Sequence, residues 1–135
     1  MQTVAEAIAY IHNRPKGGQK ESLARMHTLL AALGQPQNTL PPAIHITGTN
    51  GKGSVATMTS NILRVAGYRT GLFISPFITD FRERIQINNN LIPAEDLLAV
   101  TQHVADVLVT VDAALAPDIP VSYTHLRAHE TREDL

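Results

Sequence analysis

The chain has 135 residues, a formal net charge of −1 and a pI near 6.6. This balance supplies neither the basic surface that binds nucleic acid nor a charge-based attraction to an anionic membrane. The absence of cysteine excludes disulfides, thiol catalysis and thiolate metal sites, and it fits a reducing compartment. We predict no membrane-spanning run and no signal peptide in residues 1–20, so we expect a cytoplasmic protein.

Two helices are predicted at the start of the chain, near residues 3–13 and 20–33. Thr3 and Glu6 have the spacing of a capping box, and apolar residues recur at helical intervals in both segments. Residues 13–18, Asn-Arg-Pro-Lys-Gly-Gly, interrupt the pattern with proline, glycine and positive charge. Judged on the residues alone, this loop is a solvated connector.

A glycine-rich loop follows a short β-branched run and leads into an amphipathic helical pattern near residues 53–66. The residues of this loop are Gly48, Thr49, Asn50, Gly51, Lys52, Gly53 and Ser54. Glycine lets backbone N–H groups approach phosphate oxygens, and a helix N-terminus favours negative charge. Lys52 would contact the β- and γ-phosphates, and Ser54 a magnesium ion. Because the loop is shorter than the standard P-loop, a plain structural turn remains the alternative.

Strands are predicted near residues 43–47 and 70–74, on either side of this helix. Strand, helix and strand together predict a βαβ unit with parallel strands and a right-handed crossover. Ligands of such sheets bind at the carboxyl ends of the strands. Ser75 therefore lies near the glycine loop as a candidate magnesium ligand, and a simple strand-end cap is the alternative.

A hairpin and a long helix complete the predicted elements. Asparagine at 88, 89 and 90 indicates a turn between strands at 85–87 and 91–92, and Pro93 opens a helix over 93–115. Arg82 and Arg84 precede the hairpin, where solvated charges are favoured over contacts to phosphate. His125 and His129 have helical spacing but lack the glutamate and the third ligand of a zinc protease site, so we predict no metal there.

The sequence HITGTNGKGS at residues 45–54 closely resembles the phosphate loop of folylpolyglutamate synthases and dihydrofolate synthases. These enzymes belong to the Mur ligase group of ATP-dependent, amide-forming enzymes, whose loop is shortened in the same way. The glycine at position 53, directly after the lysine, resembles the residue that the folate branch of that group carries there. GLFISPF at 71–77 and the Arg82-x-Arg84-Ile85 pattern also resemble it, and the similarity runs from about Val4 to about Pro120.

The resemblance implies an α/β fold, the N-terminal part of a Mur-ligase-type P-loop domain in which helices flank a parallel sheet. It implies that residues 48–54 bind ATP, that Lys52 is catalytic, and that Ser75 and Ser54 bind Mg²⁺. It also places the pterin-bearing substrate near Arg14, Lys16, Gly17 and Gly18. The implied reaction belongs to folate biosynthesis and one-carbon metabolism: ATP phosphorylates a carboxylate of folate or dihydropteroate, and L-glutamate attacks the acyl phosphate. We expect a monomeric parent enzyme.

The family is considerably longer than 135 residues, and SYTHLRAHE at 122–130 resembles a translated sequencing adapter. We therefore expect residues 1–121 to be the N-terminal part of the ATP-binding domain and residues 122–135 to be an artefactual or disordered tail. A chain truncated in this way should be inactive alone. The alternative is a stand-alone nucleotide-binding module without ligase activity. A P-loop kinase or hydrolase is disfavoured by the short loop and by the absence of an aspartate after the second strand.

Overall fold

The computed structural model describes residues 1–14 and 22–114. Its helices and strands are α1 (Val4–Asn13), α2 (Ser22–Ala32), α3 (Lys52–Val65), β1 (Gly71–Phe73), β2 (Ile85–Ile87), β3 (Asn90–Leu91) and α4 (Ala94–Ala114). Short 3₁₀ helices occupy Pro36–Thr39 and Phe81–Arg84. The chain divides into two compact units. Within the described residues, the helical unit comprises Met1–Leu40 and residues 95–114, and the loop unit comprises Pro41–Ala94.

All four predicted helices are formed, and their described ends differ from the predicted ones by at most two residues. Differences of this size are normal at frayed helix ends. The sequence signals act as expected: Thr3 Oγ1 accepts the N–H of Glu6 at 3.2 Å at the start of α1. Gly34 and Gly67 follow α2 and α3 with φ of +87° and +100°, the left-handed conformation that ends helices.

The helical unit has an apolar core between α2 and α4. Met26, Leu29 and Leu30 of α2 pack with Leu108 and Val111 of α4, and all five are buried. This packing is the physical reason for the helical spacing of the apolar residues in both segments.

Helix α4 corrects the expectation that no segment is apolar enough to span a membrane. It has 21 residues and contains an 18-residue stretch of mean hydropathy 1.4. By length and composition it is therefore long and apolar enough to cross a membrane. Its buried side chains recur at helical intervals, as in the core helix of a globular domain: Leu97, Thr101, Ala105, Leu108 and Val111. A core helix meets the same criteria, so they do not by themselves indicate a membrane span.

The loop unit contains a three-stranded antiparallel sheet in the order β1-β2-β3. Gly71 lies opposite Ile87, and Phe73 opposite Ile85. A two-residue turn joins β2 to β3, and its residues Asn88 and Asn89 have φ of +50° and +64°. Two positive φ angles are what a type I′ hairpin turn requires, and asparagine tolerates them. The predicted hairpin is confirmed.

The strand predicted near 43–47 is not formed, whereas the strand predicted near 70–74 is present as β1. Residues 41–48 make no backbone–backbone hydrogen bond with the described part of the chain, and β1 pairs with β2 in the antiparallel sense. The predicted parallel pairing is therefore absent from residues 1–14 and 22–114. A β-strand is held by backbone hydrogen bonds to a neighbouring strand. A β-branched run that lacks such a neighbour therefore does not form a strand.

Candidate functional site

The glycine loop at residues 48–54 enters α3 directly. Gly48 and Gly51 have φ of +151° and +77°, which lie in the region that disfavours side chains. A Cβ atom added to Gly51 would meet no atom within 4 Å. Glycine is therefore required at position 51 by the backbone conformation and not by the space around it.

The N-terminus of α3 has no side-chain cap. Gly51 is the N-cap residue, and the N–H of Val55 donates to the carbonyl of Gly51 at 2.9 Å. The N–H groups of Lys52, Gly53 and Ser54 therefore precede the intrahelical ladder. Lys52 and Ser54 are exposed and Gly53 is half-buried. N–H groups outside the intrahelical ladder, the helix dipole and a nearby lysine are features that favour an anion at a helix N-terminus.

Ser75, the other predicted magnesium ligand, follows β1 by two residues and is half-buried. Helix α3 contacts β1. The described residues include no group of three or more histidine, aspartate or glutamate side chains that could hold a metal. Serine hydroxyls are hard oxygen ligands that suit Mg²⁺, which usually completes its coordination with water and with phosphate oxygens of the substrate. The hydroxyl groups of Ser54 and Ser75 are thus donors of the type that a magnesium ion arriving with a nucleotide accepts.

The predicted substrate-binding residues fall partly outside the described ranges. Lys16, Gly17 and Gly18 lie there, as do His125 and His129 and the predicted boundary at residues 121 and 122. Arg14 is described: its guanidinium donates to Asp112 at 3.1 Å and lies 5.9 Å from the ring centre of Tyr10. Arg14 is thus held within the helical unit.

Arg82 and Arg84 are engaged in the loop unit. Arg82 pairs with Asp80 at 3.1 Å and donates to the carbonyl oxygen of Ile92. The guanidinium carbon of Arg84 lies 5.0 Å from the ring centres of both Phe77 and Phe81. These contacts replace the solvated charges that the sequence favoured.

Sequence reasoning missed the part played by Glu83 in the segment after Ser75. Its carboxylate accepts the N–H groups of Ile78, Thr79 and Asp80 at 2.8 to 3.0 Å. Those hydrogen bonds hold the pKa of Glu83 below its ordinary value. The pKa of Asp80 is also lowered, chiefly by the side chain of Arg82. The Asp80-x-x-Glu83 spacing is a capping-box signature, which is the signal that was available in the sequence.

A buried polar network, also missed, attaches α3 to the hairpin turn. The hydroxyl of Ser60 donates to Asn89 Oδ1 at 2.8 Å and lies 3.3 Å from the hydroxyl oxygen of Thr70. The N–H of Thr70 donates to Asn88 Oδ1 at 2.9 Å. Ser60 is 1% exposed and Thr70 is buried, so both hydroxyl groups are shielded from water, while Asn88 and Asn89 are half-buried. They fix the position of α3, and hence of the loop at its N-terminus, on the sheet.

Comparison with known proteins places these features in a family, although no protein-family profile matches the chain. It is 43% identical over 95 residues to the dihydrofolate synthase/folylpolyglutamate synthase of Bacillus subtilis, a match over 70% of this chain and 22% of that protein. It is 47% identical over 88 residues to the folylpolyglutamate synthase of Lacticaseibacillus casei, over 65% of this chain and 20% of that one. The chain is a relative of the folylpolyglutamate and dihydrofolate synthases.

A solved folylpolyglutamate synthase in complex with AMPPCP and folate matches the fold with a TM-score of 0.82 at 34% identity. The match covers 98% of this chain and 33% of that one. The predicted Mur-ligase-type α/β fold class is confirmed by this similarity. The chain spans about a fifth of the length of the curated folylpolyglutamate synthases and about a third of the solved one.

Proposed function

We propose that residues 48–54 bind the phosphates of ATP in a ligase that adds L-glutamate to folate or dihydropteroate. The observation that carries the proposal is the uncapped N-terminus of α3, entered through Gly51 in the left-handed conformation and bearing exposed Lys52 and Ser54. A solved relative is in complex with AMPPCP, an ATP analogue, and with folate, which supports the same ligand classes here.

The proposed reaction has two steps. The γ-phosphoryl group of ATP passes to a carboxylate oxygen of the folate, which leaves ADP and an acyl phosphate. The amine of L-glutamate then attacks the acyl carbon, forming an amide and releasing phosphate. Catalysis of the first step consists of positioning and charge neutralisation, which the Lys52 ammonium and the loop N–H groups supply. Mg²⁺ held by Ser54 and Ser75 would neutralise further phosphate charge when bound.

Arg14, Lys16, Gly17 and Gly18 are the residues that we assign to the pterin-bearing substrate, by family resemblance alone. The ligands of this protein are then small molecules, with neither nucleic acid nor membrane as a partner. A cytoplasmic location and a monomeric parent enzyme complete the proposal.

We further propose that the 135 residues alone form no amide bond. The match covers 22% of the B. subtilis relative, so most residues of that protein have no counterpart here. Purified chain incubated with folate, L-glutamate, ATP and Mg²⁺ should yield no glutamylated folate by mass spectrometry. The full-length L. casei enzyme is the positive control, and detectable product from the 135-residue chain would refute this part.

Nucleotide binding is tested by calorimetric titration of the chain with ATP and Mg²⁺. Lys52→Ala should weaken binding by about ten- to a hundredfold, because one charge-assisted hydrogen bond contributes about 1.5–3 kcal/mol. Arg69→Ala is the matched control, since it removes an exposed positive charge of the same unit outside the loop. Equal affinity in the Lys52→Ala variant, or no binding by the unmodified chain, would contradict the proposal.

A further inference from the structure

The sequence contains one Asn-Gly pair, and this pair lies in the glycine loop. Asn50 precedes Gly51, whereas every other asparagine of the chain precedes a residue that carries a side chain. The backbone nitrogen after an asparagine is able to attack the carbon of the side-chain amide, and a side chain on the attacking residue hinders that approach. Glycine has no Cβ and removes the hindrance. Residues 50 and 51 are therefore the position of the chain that is most open to this reaction.

The structure leaves both reacting groups of this pair unengaged. Asn50 and Gly51 are exposed, and both precede the first residue of α3. Among the described residues, neither the side-chain amide of Asn50 nor the N–H of Gly51 makes a hydrogen bond. The side-chain carbon Cγ of Asn50 has to rotate towards the nitrogen of Gly51 before a bond can form. No hydrogen bond of a helix or a sheet opposes that rotation.

The asparagines of the hairpin turn are instead held in place. Asn88 Oδ1 accepts the N–H of Thr70 at 2.9 Å. Asn89 Oδ1 accepts the hydroxyl of Ser60 at 2.8 Å, and Asn89 Nδ2 donates to Asn61 Oδ1 at 2.9 Å. Either turn side chain would have to break hydrogen bonds before its amide carbon could react. Asn88 and Asn89 therefore serve as internal controls for the asparagine of the loop.

The charge of the loop favours the same reaction. The attacking nitrogen reacts after it has lost its proton, so that first this nitrogen and then the oxygen of the attacked amide carry negative charge. Gly51 is the N-cap residue of α3, at the positive end of the helix dipole, and Lys52 follows it. Positive potential at this end of the helix lowers the energy of both anions. The features that favour a phosphate here thus also favour loss of the Asn50 amide.

We propose that Asn50 is a site of spontaneous deamidation, and that the carboxylate formed there weakens nucleotide binding by the loop. In the first step the nitrogen of Gly51 bonds to Cγ of Asn50 and the Cγ–Nδ2 bond breaks. Ammonia leaves with the proton of the Gly51 N–H, and a cyclic imide remains. Solvent water is the co-reactant of the step that follows.

Water opens the imide at either of its two carbonyl carbons. It supplies a hydroxyl group to the carbon and a proton to the nitrogen, and the new carboxyl group passes its proton to ammonia. Cleavage between the nitrogen and Cγ gives aspartate at position 50. Cleavage at the main-chain carbonyl gives isoaspartate, in which the backbone runs through Cγ and is longer by a methylene group. Either product replaces a neutral amide with a carboxylate.

The new carboxylate lies one residue before the N-cap of α3, where the helix dipole favours a negative charge. There it offsets the positive potential that would attract phosphate, and it repels the charges of a nucleotide. The longer backbone of isoaspartate also displaces the loop N–H groups. This consequence rests on the proposed binding of ATP by residues 48–54, whereas the deamidation itself does not.

The modification is tested by incubating the purified 135-residue chain at mildly alkaline pH and withdrawing samples over time. Peptide mass spectrometry should show that Asn50 converts about tenfold or more faster than Asn88 and Asn89, whose side chains must first open their hydrogen bonds. An isoaspartate methyltransferase should label the loop peptide. Asn50→Gln should give no label, because its longer side chain closes a less favourable ring. Circular dichroism checks that every sample stays folded.

The effect on binding is tested by calorimetric titration with ATP and Mg²⁺. Asn50→Asp should bind about tenfold or more weakly than Asn50→Gln, because the two side chains differ in charge. The difference should shrink as salt is raised, since screening weakens the repulsion. The aged unmodified chain should lose binding in proportion to its converted fraction, while aged Asn50→Gln should keep the affinity that it had when fresh.

Conversion of Asn50 that is absent, or no faster than that of Asn88 and Asn89, would overturn the proposed modification. Equal affinities of Asn50→Asp and Asn50→Gln would overturn its effect on binding. A freshly purified chain that binds no ATP would refute the proposed function and this effect together. Mass spectrometry decides the deamidation separately, because that measurement needs no nucleotide.

Discussion

The helical unit and the loop unit are stabilised in different ways. In the helical unit, two helices face each other through apolar side chains such as Leu29 and Leu108, both almost fully buried. In the loop unit, α3 is attached to the hairpin by the polar contact of Ser60 with Asn89, while its apolar residues Met58, Ile62 and Val65 stay exposed. The candidate site thus lies on the helix that is least covered. A phosphate-binding helix must leave its N-terminus open, but that requirement does not explain exposed apolar side chains along its length.

Truncating a core side chain of the helical unit should have the largest effect on stability. Leu29→Ala should lower the free energy of unfolding by about 3 kcal/mol, since it removes buried methyl groups and leaves a cavity. Leu23→Ala, the same change at an exposed position of the same helix, should cost less than about 0.5 kcal/mol. Urea denaturation followed by circular dichroism measures both, and equal costs would contradict stabilisation of the helical unit by its buried apolar core.

Breaking the polar contact of the loop unit should have the next largest effect. Ser60→Ala leaves Asn89 Oδ1 without its donor and should cost about 1–3 kcal/mol. Thr57→Ala is the control, because its hydroxyl donates only to the carbonyl of Gly53 on the exposed surface of the same helix. Hydrogen exchange in α3 reports the local stability. If both variants exchange alike, α3 is held in place by something other than the Ser60 network.

The loop itself offers a contrast between two glycines. Gly51→Ala places a side chain at φ +77° and should cost about 1–2 kcal/mol, even though the added Cβ meets no atom. Gly53 is helical without positive φ and its Cβ also meets no atom, so Gly53→Ala should be neutral or stabilise by up to about 1 kcal/mol. Thermal unfolding of the two variants measures the difference. A destabilising Gly53→Ala with a neutral Gly51→Ala would contradict the loop conformation.

The smallest predicted effect is the pH dependence contributed by Glu83. Its folded pKa lies below the ordinary value of 4.5, so its three hydrogen bonds stabilise the fold above that pH. This stabilisation is lost as the pH falls through the folded pKa. Glu83→Gln should therefore be less stable than the unmodified chain at neutral pH, and the difference should shrink below about pH 4.5. Denaturation at several pH values tests this, and a difference that stays constant would reject it.

How far the sequence predicts this structure depends on the range of the interactions. Helix ends and the Asn88–Asn89 turn follow from local signals, because capping residues and positive φ are properties of a few neighbouring residues. Residues 43–47 carry an equally clear local signal but have no strand beside them in the described part of the chain. A local pattern cannot reveal whether such a neighbouring strand is present. The contact of Ser60 with Asn89 joins residues 29 positions apart and has no periodic signature.

The features of the candidate site show the same difference between local signals, which the sequence reveals, and contacts between distant residues, which it does not. The loop at 48–54 was predicted from glycine spacing, from Lys52 and from the helix that follows, and the described geometry agrees with each of these local features. The pairing of Arg14 with Asp112 depends on how the chain folds back, so the sequence did not predict it. The hydrogen bonds to Glu83 are local, and their capping-box spacing was a signal in the sequence that went unused.

The central claim is that the N-terminus of α3 binds nucleotide phosphate, and its most direct test follows the backbone amides of the loop. The ¹⁵N-labelled chain is titrated with AMPPCP and Mg²⁺ while amide chemical shifts are recorded. We predict saturable shifts at residues 48–54, with little change in β2 and β3, and we predict that Lys52→Ala abolishes these shifts. Shifts confined to other residues, or none at saturating nucleotide, would contradict it.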